Sequence, residues 1–131
     1  MKKTLFLCIS CLYLLSNWSV KADTVDNKDI YLRDDLIYIL FTPLINKELE
    51  KHFGELKQYY CANIIQIKKT QQGSYFFDVT VQVTTFEGAH NPPNDLVTIT
   101  FSNSDYKDWH VINFKSKRLK ENQIDKCRQP L

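Results

Sequence analysis

Apolar and polar residues alternate through residues 75–101, and this pattern predicts two β-strands joined by a loop. In the first strand every second residue is apolar, and these residues are Tyr75, Phe77, Val79, Val81 and Val83. The second strand repeats the pattern with Val97, Ile99 and Phe101. A period of two is typical of a strand that buries one face, so both strands are expected to face the same core.

Before this region the apolar period changes to three and four residues, which predicts helix from residue 31 to residue 53. The main apolar stripe consists of Leu32, Leu36, Ile39 or Leu40, Pro43 and Leu44, and Ile37, Phe41, Ile45 and Leu49 widen it. Pro43 interrupts the pattern, so either one helix kinks there or Thr42 caps a second helix that begins at Pro43. In both cases one apolar ridge remains to pack on the sheet, and Gly54 ends the helix.

Two further strands complete the prediction. Tyrosines and isoleucines fill residues 59–69, and residues 71–74 have the composition of a hairpin turn. Residues 109–115 alternate again, with Trp109, Val111 and Asn113 expected on one face and His110, Ile112 and Phe114 on the other. The order predicts an α+β domain in which a kinked helix or helix pair packs on a four-stranded antiparallel sheet. Cystatin-like and cone-like folds share that order as an architectural analogy.

The N-terminus has the pattern of a secretory signal peptide. Two lysines precede an apolar stretch shorter than the roughly 20 residues of a spanning helix, and small residues around Ala22 offer a cleavage site. We therefore expect residues 1–22 to be removed and the protein to be secreted or associated with the cell envelope, with membrane contact only through this segment. A retained anchor and a lipid on Cys11 are the alternatives.

Charge and length limit the classes of function. We expect a linker over residues 23–30, one domain over 31–116 and a basic tail over 117–131. Three of the 17 basic side chains lie in the signal peptide, which leaves 14 against 15 acidic ones. This balance argues against nucleic-acid binding, which requires a basic surface. The tail is either solvated or attracted to an anionic wall polymer or lipid surface.

Cysteine usage predicts one disulfide. Outside the signal peptide only Cys61 and Cys127 remain, and two thiols in an exported protein most simply pair with each other. Outside the predicted signal peptide the sequence contains no further cysteines that could form a zinc site. We therefore predict no metal and no cofactor.

The loop between the two central strands, residues 87–95, carries the candidate site. Consecutive prolines withhold two backbone donors and stiffen it. Three side chains could orient one another, bind a ligand or contribute two ligands to a cation, namely Glu87, His90 and Asn91. The alternative is a structural loop in which Asn91 and Asp95 hydrogen-bond the loop backbone while Gly88 adopts a positive φ.

At this loop the chain also resembles a known family. The segments LFTPLINKELEKHFGELKQYYCANIIQIKK, VTVQVTTFEGAHNPPNDLVTITF and WHVINFK are similar to small exported proteins of spore-forming Gram-positive bacteria grouped as domain of unknown function 3888. The most specific part is FEGAHNPP followed by TITF, although Ala89 stands where the family has proline and Asn94-Asp95 replaces an aromatic-glycine pair. The resemblance implies export, one small domain and no assigned activity, and it supplies no catalytic residues.

Two functions from different classes follow. The first is an exported, non-enzymatic binding or interaction module for an envelope or extracellular ligand. The second is a small cone-fold hydrolase or isomerase with His90 as base in a pocket lined by Tyr60, Phe77 or Trp109. A ring of His90 directed into a pocket would favour the enzyme, and a ring facing solvent would favour the module. We interpret His52 as a contact at the helix C-terminus and His110 as a packing or edge residue, and we assign no residue as catalytic.

Overall fold

The structure, a computed structural model, describes residues 26–105, 108–120, 123 and 127–128. Within these residues one helix precedes four strands: α1 (Asn27–Phe53), β1 (Gln58–Lys69), β2 (Phe77–Phe86), β3 (Asp95–Ser102) and β4 (His110–Arg118). The strands form one antiparallel sheet in sequence order, and α1 packs on one face of it. The α+β prediction is therefore confirmed. The predicted signal peptide and most of the basic tail lie outside the described residues.

Helix α1 is continuous through Pro43, so the predicted alternative of a helix pair is wrong. Instead of capping a second helix, Thr42 donates its hydroxyl to the carbonyl of Tyr38 at 3.0 Å. This is an ordinary bond for a threonine inside a helix, one turn back along the chain. Among the described residues, no helix is long and apolar enough to cross a membrane.

The ends of α1 are set by local caps. The carboxylate of Asp26 accepts from the backbone N–H of Lys28 at 3.1 Å, which satisfies one free donor of the first turn. The helix therefore begins at Asn27, and residues 27–30 belong to it rather than to the predicted linker. Gly54 ends the helix with φ of 76°, and its N–H donates to the carbonyl of Glu50 at 2.8 Å.

The buried face of α1 is not the one that the main stripe predicted. Phe41, Ile45 and Leu49 are buried against the sheet, whereas the main stripe is exposed over most of its length. Those exposed residues are Leu32, Leu36, Ile39 and Leu40. The buried set continues at four-residue spacing from Ile37 to Phe53, whereas the main stripe gives way to charged residues after Leu44. Only the former can cover the sheet along the C-terminal half of the helix.

The sheet buries the row of residues that the alternation predicted. The buried residues of this row on β2 and β3 are Val79, Val81, Val83, Val97, Ile99 and Phe101. Tyr75 does not join this row: it precedes β2 and is 87% exposed, and Phe76 is buried instead. Residues 71–74 form the turn before it, with φ of 77° at Gly73, as expected.

Strand β4 departs from simple alternation at one residue. Phe101 pairs with Val111 and Thr100 pairs with Asn113, so Ile112 is a bulge without a partner on β3. The bulge reverses the alternation, which places Val111 and Phe114 against the core and leaves Ile112 52% exposed. The predicted assignment of Val111 and Phe114 to opposite faces is therefore wrong. The strand also continues to Arg118, so residues 117–118 belong to the domain and not to the tail.

A second irregularity, on β1, positions the disulfide. The register with β2 shifts between Tyr60 and Asn63, and Cys61 has φ of 54°, in the left-handed region. The expected disulfide between Cys61 and Cys127 is present, with the two Cα atoms 4.7 Å apart. It holds the next residue, Arg128, against the helix.

Arg128 is not part of a solvated tail. Its Nη2 contacts a carboxylate oxygen of Asp35, and the guanidinium lies 5.0 Å from the ring centre of Tyr31. Asp35 holds the pKa of Arg128 above its ordinary value, chiefly through this hydrogen bond. Residues 127 and 128 are therefore tied to both the sheet and α1.

Candidate functional site

The loop tip is a closed three-residue turn. The backbone N–H groups of Glu87 and Asn91 each donate to the carbonyl of the other, at 2.9 and 2.8 Å. Between them Gly88 has φ of 53° and His90 has φ of 64°. Glycine adopts this conformation without cost, which agrees with the positive φ expected at Gly88, whereas histidine adopts it less readily. The turn lifts the His90 side chain onto the surface.

The ring of His90 belongs to a group of three aromatic rings. It stacks on Phe86 with ring centres 4.2 Å apart and an interplanar angle of 23°. The ring of Tyr60 stands edge-on to both, 5.5 Å from each. We call Tyr60, Phe86 and His90 the aromatic surface. Phe86 is buried and His90 is exposed, so the histidine ring forms the outer layer of this stack.

Glu87 anchors the loop and does not orient His90. Its carboxylate accepts from Nζ of Lys57 at 2.8 Å, and Glu55 binds the same ammonium group at 2.7 Å. The hydrogen bond that Lys57 donates to Glu55, followed by the one it donates to Glu87, raises the pKa of Lys57. Lys57 lies just after α1, so this contact connects the loop to the segment that follows the helix.

The base of the loop is held by a buried hydrogen-bond network. The side-chain amide of Asn94 donates to the carbonyl of Thr85 at 3.0 Å, and the N–H of Asp95 donates to the Thr85 hydroxyl at 3.2 Å. All three residues are buried. The carbonyl of Asn94 accepts from the N–H of Leu119 at 2.9 Å, which joins the loop to the end of β4. Pro92 and Pro93, linked by a cis peptide bond, precede this network.

The structural alternative predicted from sequence assigned this function to the wrong asparagine. Asn91 has an exposed side chain, and its backbone closes the turn. Asn94 makes the buried side-chain contact with the loop backbone. Sequence reasoning missed Asn94 and Thr85 because neither residue lies in an apolar period. The only available signal was the position of Asn94 directly before a strand.

Asp95 pairs with Arg118 across β3 and β4. Nε and Nη2 of Arg118 donate to the two carboxylate oxygens at 2.7 and 3.3 Å. The Asp95 side chain is 8% exposed, whereas that of Arg118 is 64% exposed. The contact with Asp95 raises the pKa of Arg118. A nearly buried carboxylate thus has a fixed cationic partner at the base of the loop.

Four clefts are found among the described residues, and only some of them lie near the loop. One of about 300 Å³ is lined by Asp35, Tyr38, Tyr60, Cys61, Ala62, Cys127 and Arg128. Others are found beside Trp109 (about 240 Å³), around the turn at residues 71–76 and around residues 55–58. Within the described part of the chain, His90 lines none of these four clefts. Tyr60 is shared by the aromatic surface and the first cleft.

Of the other two histidines, His52 packs on aromatic rings and His110 lies at the edge of the sheet beside a carboxylate. The ring of His52 lies 4.3 Å from that of Phe114 and 4.8 Å from that of Phe53, at the end of α1. His110 lies 3.6 Å from a carboxylate oxygen of Asp105 at the start of β4. Over residues 26–105 and 108–120, together with 123, 127 and 128, no group of three potential ligands is placed to hold a metal ion.

A comparison with protein families identifies the chain. Residues 33–117 match the family described as protein of unknown function DUF3888, and the chain belongs to that family. Comparisons with curated proteins and with solved structures found no match. The matched segment begins within α1 and ends in β4, so it includes the loop and the whole sheet up to residue 117.

Proposed function

We propose that this member of the DUF3888 family is an exported, non-enzymatic interaction module that binds an envelope or extracellular ligand through the aromatic surface. The observation that carries this proposal is the exposed ring of His90, stacked on Phe86 and flanked by Tyr60. Aromatic faces provide large contact areas with little loss of side-chain entropy on binding. The reciprocal backbone bonds and the Lys57–Glu87 contact support the ring before a ligand arrives.

Three features support export. The basic and apolar pattern of residues 1–22 is typical of a signal peptide. The Cys61–Cys127 disulfide suits an oxidising compartment. The family implied by the sequence contains small exported proteins of spore-forming Gram-positive bacteria, so a cell-wall component of such an organism is the ligand class that we propose.

The cleft beside the aromatic surface suits a ligand with both planar and polar groups. Tyr60 and Tyr38 supply ring faces, while Arg128 and Asp35 supply charge. Nη1 of Arg128 is buried and has no hydrogen-bond partner in the described part of the chain. A carboxylate of a wall peptide would complement the positive charge that the Arg128 side chain contributes to this cleft. A general base must reach a bound substrate. Because His90 lines none of the four clefts found among the described residues, the hydrolase or isomerase has less support.

Binding to purified cell walls tests the proposal. The full chain, in the form released by cells, is incubated with wall sacculi, and the bound fraction is measured by sedimentation. We expect His90→Asn to reduce the association constant about tenfold, since an aromatic contact contributes about 1 kcal/mol or more. Asparagine tolerates a positive φ, so the turn is retained.

The matched control is Tyr75→Asn, which replaces an exposed aromatic residue before β2. This variant should bind like the unmodified protein. Equal binding by His90→Asn and the unmodified chain would contradict the proposal.

A further inference from the structure

Helix α1 has a second apolar face that no described residue covers. Leu32, Leu36, Ile39 and Leu40 are between 47% and 66% exposed, and Pro43 is exposed beside them. On a helix these positions lie opposite Phe41, Ile45 and Leu49, which are buried in the core. We call these five exposed residues the outer stripe. Contiguous exposed apolar residues of this kind mark interaction surfaces in soluble proteins.

The spacing of the outer stripe is that of a helix-pairing seam. Leu32, Leu36, Ile39 and Pro43 recur at intervals of four, three and four residues, which is the alternation of a and d positions in a heptad. Such a seam keeps apolar side chains facing a partner helix along its length. The helix is continuous through Pro43, so the seam is not broken there. A partner for this surface is therefore expected to be another helix.

The charges at the two ends of the stripe identify that partner as a second copy of the chain. Asp29 lies at the N-terminal end and Lys47 at the C-terminal end, both exposed and both on the same flank of the helix. In an antiparallel pair of identical helices centred near residue 38, Asp29 of each copy faces Lys47 of the other. A parallel pair would place like charges together. The stripe is thus complementary to itself in one orientation.

We propose that the protein forms a two-fold symmetric dimer through the outer stripe, with α1 of each copy antiparallel to the other. About a two-fold axis near residue 38, Leu36 meets Ile39 and Leu40 of the other copy, and Leu32 meets Pro43. Each of these contacts occurs twice, as in any isologous interface. This inference goes beyond the proposed ligand binding and does not depend on it, because the aromatic surface contributes nothing to the contact.

One helix face is a small interface, so the dimer is expected to depend on concentration. Contacts of this kind lie at the low end of the sizes found for specific complexes. Sedimentation equilibrium of the full chain, in the form released by cells, from about 1 μM to 1 mM should show monomer and dimer in exchange. Leu36→Glu places a charge at two related positions and should weaken the dimer by at least about tenfold. Tyr75→Glu, the matched exposed control, should leave it unchanged.

A charge exchange tests the antiparallel register and the identity of the occupant. Asp29→Lys and Lys47→Asp should each weaken the dimer, because each places two pairs of like charges in contact. The double variant Asp29→Lys/Lys47→Asp should restore it. Circular dichroism of each variant verifies that α1 is retained.

Restoration of the dimer in the double variant supports the proposal. A monomer at every concentration, a dimer insensitive to Leu36→Glu, or a double variant no better than the singles would overturn it. A stripe covered by the chain's own N-terminal segment would give the first of these results.

Discussion

Single residues of the loop divide between those that hold it and those that it presents. Asn94, Thr85 and Asp95 are buried and hydrogen-bonded, whereas His90 and Asn91 are exposed. A buried polar group that loses its partner costs free energy, whereas an exposed side chain can be replaced with little effect on folding. Stability and recognition in this loop therefore depend on different residues.

Replacing Asn94 should destabilise the protein more than replacing His90. Asn94→Ala leaves the buried carbonyl of Thr85 without its donor, so we expect a loss of about 1 to 3 kcal/mol in the free energy of unfolding. His90→Asn/Asn91→Ala should change it by about 0.5 kcal/mol or less. Urea denaturation of both variants measures the difference. A larger loss in the double variant would mean that the exposed residues hold the loop.

Tyr59 gives the stability of the protein a pH dependence in the alkaline range. Burial, followed by the neighbouring Tyr38, raises the pKa of the Tyr59 hydroxyl above its ordinary value of 10.0. The folded protein therefore retains this proton at a pH at which the unfolded chain loses it. The resulting stabilisation is complete below pH 10 and is lost as the pH rises above it.

We therefore expect the urea midpoint to fall as the pH rises above about 10, and to fall less steeply in Tyr59→Phe. Phenylalanine cannot ionise, so the variant lacks this contribution whatever its stability at neutral pH. Tyr75→Phe is the control, because Tyr75 is exposed. Identical pH profiles for Tyr59→Phe and the unmodified chain would exclude Tyr59 as the source of the alkaline loss.

At the scale of elements, β3 and β4 are joined beside the loop by Asp95 and Arg118. Removing the guanidinium leaves a nearly buried carboxylate without its partner, which destabilises a protein more than the loss of an exposed pair. Arg118→Ala should lower Tm more than Arg33→Ala, since Arg33 pairs with Asp34 on the exposed surface of α1. Arg118→Lys should give an intermediate Tm because lysine cannot bind both carboxylate oxygens in the same way. Differential scanning calorimetry of the three variants provides the comparison, and equal Tm values for both alanine variants would contradict it.

The elements also show how far the sequence predicts the fold. Alternation identified the buried rows of β2 and β3 because neither strand has an irregularity within that row. It assigned the wrong faces on β4, because nothing in the composition marks Ile112 as a bulge. The sequence of α1 contains two apolar stripes, either of which could be the buried face. The buried stripe is the one that continues to the C-terminal end of the helix. The loop was predicted, but the exposure of His90 was left open and the buried asparagine at the base of the loop was missed.

At the scale of the whole molecule, the disulfide joins three parts of the chain. It connects the bulge of β1 with residue 127, and the adjoining Arg128 binds Asp35 on α1. The two cysteines are 66 residues apart, so the bond closes most of the sheet into one loop. Arg128 and Tyr60 both line the cleft beside the aromatic surface. The disulfide therefore contributes both to stability and to the shape of the candidate site.

Replacing both cysteines should test these two contributions separately. In the chain-entropy model, a disulfide that closes a loop of this length stabilises by about 4 kcal/mol, so Cys61→Ser/Cys127→Ser should lose up to that amount in urea denaturation. Arg128 would also be released from Asp35, and Arg128→Ala in the disulfide-bonded chain is the control for that contact.

If the cleft contributes to wall binding, both variants should bind cell walls less well, although only the cysteine variant should lose most of its stability. Full stability in the cysteine variant, or two free thiols in the denatured, unreduced protein, would show that this bond does not hold the chain together. If only the cysteine variant binds cell walls less well, the shape that the disulfide gives to the cleft contributes to binding and the guanidinium group of Arg128 does not.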